Sequence, residues 1–97
     1  MKTPSVRDDG QRVSLDLHGA TIRNAIILLR RTLMVSAARG RSTVRVIHGY
    51  STSVNPRVRT SIRDELNRLL DEGSLSEVQN YFRLDDATIL SLSLIHI

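Results

Sequence analysis

The chain has 97 residues, no cysteine and no tryptophan, with 40% hydrophobic side chains, 25% charged side chains and a formal net charge of +4. That length accommodates one domain, which buries roughly 60–65% of the surface its unfolded chain exposes, and the composition argues against global disorder. The lack of cysteine excludes disulfides, zinc-thiolate sites and cysteine nucleophiles.

Charge is distributed unevenly. Residues 1–70 carry thirteen Lys and Arg against five Asp and Glu, a net +8, whereas residues 71–97 carry Arg83 against five acids, a net −4. Lys2 is the only lysine, so the basic surface is built from arginine, whose planar fork matches phosphate bidentately. A polyanion is the expected partner, although solvated helix faces account for many of the same arginines. Met1–Gln11 has no apolar leader, and no run approaches the ~20 apolar residues that cross a bilayer, so a soluble, cytoplasmic monomer without a membrane partner is expected.

In chain order, residues 1–12 are polar and read as a flexible arm. Val13, Leu15 and Leu17 then alternate with Ser14, Asp16 and His18, the period of a strand with one face on a core. Gly19 and Ala20 turn the chain, and Thr21 is the expected N-cap of a helix running to about Ala38 and stopped by Gly40. Ile22, Ile26, Leu29 and Leu33 would cover the sheet, while Ile27, Leu28, Met34 and Val35 widen the stripe and are expected to pack on the C-terminal segment.

A second strand, Thr43–His48, places Val44 and Val46 toward the helices and Thr43, Arg45 and Ile47 away from them. A polar loop, Gly49-Tyr50-Ser51-Thr52-Ser53, leads to Asn55-Pro56, expected as N-cap and first residue of a second helix with Val58, Ile62, Leu66 and Leu69 buried and Gly73 as its stop. Ser74-Leu75-Ser76-Glu77 has capping-box spacing and predicts a short helical turn. Tyr81–Leu84 and Ile89–Ile95 read as a closing hairpin around Asp85-Asp86. The order β-α-β-α-β-β predicts an α/β (α+β) two-layer sandwich, a mixed sheet with two helices on one face.

Both strands that precede a helix end in His-Gly. If they lie parallel and adjacent, joined by a right-handed crossover, both ends meet at one rim, where open α/β sheets bind ligands. Leu15-Asp16-Leu17-His18 matches an LDxH motif and His48-Gly49-Tyr50-Ser51 an HGxG motif in which Ser51 replaces the second glycine. The paired motifs resemble the Smr (small MutS-related) domain family over residues 13–97. The resemblance implies a fold similar to the C-terminal domain of translation initiation factor 3, and it makes the ribosome a candidate partner. It also implies binding of RNA or of branched or single-stranded DNA, with nicking or cleavage at Asp16, His18, His48 and Gly49.

Chemistry at these positions supports several readings. Asp16, His18 and His48 are the candidate catalytic residues, the histidines as general acid and base and Asp16 as their orienting group or as a ligand for a divalent cation such as magnesium. No cofactor is required for RNA, which brings its own 2′-hydroxyl nucleophile. Gly49, Tyr50, Ser51, Thr52, Ser53, Arg45, Arg57 and Arg59 are the candidate nucleic-acid contacts, because the loop leads into a helix N-terminus that favours anions. The open sheet face, expected to carry Ser14, Asp16, Arg45, Arg83, Ser91 and Ser93, offers no aromatic pair for stacking, so phosphate contacts should dominate. The leading expectation is an endonuclease acting on RNA; the others are a binding module that does not cut and a scaffold whose arginines only solubilise it.

Overall fold

Strict alternation decides which side of the sheet each residue serves. The structure, a computed structural model, describes residues 5–49 and 61–93. Its elements in chain order are β1 (Ser5–Asp8), β2 (Arg12–Asp16), α1 (Ile22–Ala38), β3 (Thr43–Ile47), α2 (Ile62–Glu72), β4 (Val78–Arg83) and β5 (Ala87–Leu92). The strands form one mixed sheet in the order β1-β2-β3-β5-β4. Among the described strands only β2 and β3 run parallel, with Ser14 beside Arg45 and Asp16 beside Ile47. Val13, Leu15, Leu17, Val44, Val46, Leu90 and Leu92 meet Ala25, Leu29, Leu33, Leu66 and Leu69 in a single core. No helix among the described residues is long and apolar enough to cross a membrane.

The predicted four-strand order gains a strand at its edge. Residues 5–8, expected within the flexible arm, pair antiparallel with β2, Arg7 opposite Ser14 and Val6 opposite Leu15. The physical reason is a local hairpin. Asp8 Oδ1 accepts the Gly10 N–H at 2.9 Å, and Asp9 Oδ1 accepts those of Gln11 at 2.9 Å and Arg12 at 2.7 Å. Asp8 also pairs with Arg41 at 2.9 Å and Arg39 at 3.3 Å, tying β1 to the turn between α1 and β3.

The first helix follows expectation at both ends: Thr21 accepts the Asn24 N–H at 3.2 Å, and Gly40 follows the last turn at φ +74°. Its buried stripe is Ala25, Leu29, Thr32, Leu33 and Ser36, rotated from the expected one, so Ile27 and Met34 are left 53% and 60% exposed instead of packed. The second helix begins at Ile62 with Ser61 as its N-cap, in a reciprocal capping box with Asp64. The expected start at Asn55-Pro56 lies outside the described residues. Gly73 ends α2 in the left-handed region, as predicted. Ser74–Glu77 makes a turn closed by the Val78 N–H on the Leu75 carbonyl and no helix, and buried Leu75 anchors it in the core.

Arg83 is the other correction. Arg83 pairs opposite Thr88 in the hairpin closed by the Leu84 N–H on the Ala87 carbonyl, which puts it on the helix-covered side. There its guanidinium donates to Asn67 at 2.9 Å, pairs with Asp71 at 3.4 Å and lies 5.0 Å from the Tyr81 ring centre.

The Gly10 N–H first, and then Arg41, hold the Asp8 carboxyl below its ordinary value of 3.8. A depressed folded value means that the tether is intact above 3.8 and lost as pH falls through the folded value. An NMR titration should place the Asp8 midpoint below 3.8, and Arg41→Gln should raise it. An unchanged midpoint in Arg41→Gln would remove the arginine from this account.

Candidate functional site

At the carboxyl ends of β2 and β3 the two motif segments become neighbours. The Leu17 N–H donates to the Ile47 carbonyl at 2.8 Å, which extends the parallel register one step past the strand ends. Leu17 thereby falls beside His48, and His18 beside Gly49. The expected meeting of the two His-Gly ends on adjacent parallel strands is what the sheet shows.

Asp16 shapes the first turn. Its Oδ1 accepts the His18 backbone N–H at 2.9 Å, an Asx turn that redirects the chain after the strand. The carboxylate therefore orients the His18 main chain rather than its ring. His18 itself is exposed, and its imidazole edge lies against Gly49: a Cβ placed on Gly49 would sit 3.0 Å from His18 Cδ2. Gly49 also has φ +79°. Both the close approach and the left-handed backbone call for glycine here.

His48 occupies the opposite side. It is in phase with Val44 and Val46, and only 6% of it is exposed. Its Nδ1 lies 2.9 Å from the Gly49 carbonyl and its Nε2 3.1 Å from Thr88 Oγ1. Since a carbonyl only accepts, Nδ1 carries the proton, and in the neutral ring Nε2 accepts the Thr88 hydroxyl. Two imidazoles facing one hollow, as the doubled His-Gly ends suggest, are therefore not what the fold provides. His18 continues the Ser14–Asp16 phase of β2, whereas His48 continues the buried phase of β3.

The His48 and Gly49 N–H groups both donate to the Asp86 carbonyl, at 3.1 and 3.0 Å. The hairpin between β4 and β5 thus buttresses the second motif through Asp86 and Thr88, two residues that motif reading did not single out. Thr88 did leave a trace in the sequence, being a polar residue in phase with the apolar Leu90 and Leu92.

Arg45 lies exposed on the open face of β3. Tyr50, Ser51, Thr52, Ser53, Arg57 and Arg59 lie outside the described residues. No group of three or more His, Cys, Asp or Glu among the described residues is arranged to hold a metal ion. Asp16 is the carboxylate at the end of β2, and one of its oxygens accepts the His18 backbone N–H.

Replacing Gly49 by Ala forces the left-handed strain on an L-residue and pushes on the His18 ring. It should cost about 1–2 kcal/mol in chemical denaturation. Thr88→Val keeps the shape but strips His48 Nε2 of its partner, and should cost about 1–3 kcal/mol for the unsatisfied buried group. Wild-type stability in both variants would refute this geometry.

The comparisons with known proteins agree with the architecture. The profile of the Smr domain matches residues 15–86. The fold is similar to that in the crystal structure of the Smr domain of Thermus thermophilus MutS2, with a TM-score of 0.67 and 22% identity over 82% of this chain and 96% of that one. A comparison with curated proteins gives no significant match. With the family profile spanning most of the chain and both motifs meeting at one end of the sheet, this chain belongs to the Smr domain family.

Proposed function

We propose that this Smr domain is an endonuclease that binds nucleic acid and cleaves phosphodiester bonds, acting on RNA. The observation that carries the reading is the exposed His18 imidazole, seated on Gly49 where two parallel strands end, beside a sheet face bearing Arg45. In RNA the 2′-hydroxyl attacks the adjacent phosphorus while His18 takes its proton. The bond from phosphorus to the 5′-oxygen breaks, and the leaving oxygen acquires a proton from water. The products are a 2′,3′-cyclic phosphate and a 5′-hydroxyl end.

Asp16 and His48 serve this step by positioning. Asp16 holds the His18 turn, and His48 holds the carbonyl of Gly49, the glycine against which the His18 ring lies. Tyr50, Ser51, Thr52, Ser53, Arg57 and Arg59 follow Gly49 in the sequence and are proposed, with Arg45, to contact phosphates.

A second reading, a module that binds without cutting, is favoured by one observation: both His48 ring nitrogens are engaged within the fold. Only His18 of the two is then free to move a proton. The two readings separate in a cleavage assay on RNA and on branched DNA. Cleavage predicts that His18→Ala loses about 10²–10⁴ in rate while binding is kept. It also predicts that a 2′-O-methyl substitution at the cut site stops the reaction. Binding without cutting by the wild type would establish the second reading, and products with 5′-phosphate ends would exclude the 2′-hydroxyl mechanism. For both, log K should fall linearly with log salt, and binding that ignores salt would sink them together.

A further inference from the structure

The sheet face opposite the helices carries a row of side chains that the motifs do not include. Arg7 pairs across to Ser14, Ser14 to Arg45, Arg45 to Ile89 and Ile89 to Phe82. The row crosses all five strands, about 19 Å at the usual strand spacing. Arg7 and Arg45 are exposed, and Phe82, at the far end, is 64% exposed. Arg12 stands on the same face, one row away, beside Thr43. None of these three arginines forms an ion pair among the described residues. Asp16 faces the same side with one oxygen on the His18 N–H, and Asp9 lies at the rim with one oxygen on two backbone N–H groups.

From this row we infer that the open face is a docking platform for single-stranded RNA. Arg7, Arg12 and Arg45 contact its phosphates, and Phe82 stacks on a base. The inference rests on the proposed nucleic-acid activity and names where that substrate lies. Charge complementarity selects the occupant: guanidinium groups without protein partners call for an anion. An exposed ring about two strand spacings, roughly 10 Å, from Arg45 calls for a flat π-surface attached to that anion. A duplex presents the charge and keeps its bases stacked inside, so it satisfies the arginines and leaves the ring bare. The platform leads to the cutting site, since Ser14 and Asp16 follow one another along β2 on this face and His18 lies in the turn just past the end of the strand.

The expectation from sequence is a face without an aromatic pair, on which phosphate contacts dominate. Among the described residues one ring, that of Phe82, reaches the face. The chain has no tryptophan, so Phe82→Trp creates a single reporter at the point of stacking. Titrating that variant with an oligouridylate at low salt should quench the tryptophan emission, and added salt should restore it. Phe82→Ala should weaken binding about tenfold, measured by anisotropy of the labelled oligouridylate, with Phe82→Tyr restoring it. Arg45→Gln should weaken binding and reduce its salt slope.

Oligouridylate binding by anisotropy with unchanged emission, and with Phe82→Ala at wild-type affinity, would overturn the platform and leave the nucleic-acid reading standing. Equal affinity for duplex RNA without quenching would do the same. Absence of binding to any nucleic acid at low salt would instead remove the proposed function, and the platform with it.

Discussion

The parallel pairing of β2 with β3 is the constraint on which the site depends. Because Asp16 lies beside Ile47, the next two steps bring Leu17 to His48 and His18 to Gly49. A slip of one residue would exchange the faces, exposing Leu17 and burying His18. The apolar residues Val13, Leu15, Val44 and Val46, all on the helix-covered face, penalise that slip. Core packing thus determines which imidazole meets solvent.

The same arithmetic divides labour between the two histidines. His18 is exposed and touches Gly49, while His48 is buried and bonded through both ring nitrogens. A buried polar ring needs partners, and Thr88 together with the Gly49 carbonyl supplies them. The partnership also links the β4–β5 hairpin to the end of β3, since the Asp86 carbonyl accepts two N–H groups from the His48-Gly49 segment. Hairpin, glycine and exposed imidazole form one mechanical unit.

The two layers keep separate roles. Helices α1 and α2 seal one face of the sheet with Leu29, Leu33, Leu66 and Leu69, leaving the other open, with arginines and Phe82 exposed on it. β1 widens that open face and adds Arg7 to it. The tether of Asp8 to Arg39 and Arg41 then holds an edge strand whose own four residues are all exposed. It supplies by charge what the strand lacks in burial.

Local chemistry in the sequence was enough for much of this. Thr21 and Gly40 bound the first helix, Gly73 ends the second, and alternation over Val13–Leu17 and Val44–Val46 assigns faces, because these signals act within a few residues. The adjacent His-Gly ends were legible too, since a short parallel crossover admits few arrangements. The repeated motif suggested a matched pair of rings, and only the structure put His48 on the buried side with Val44 and Val46. What only the tertiary structure decided lies in contacts between distant segments. The tethering of β1 depends on Asp8 finding Arg39 and Arg41, the anchoring of Arg83 on Asn67 and Asp71 of α2, and the settling of His48 on Thr88, forty residues away. Such contacts form only once the sheet has assembled, so no local pattern in the chain encodes them.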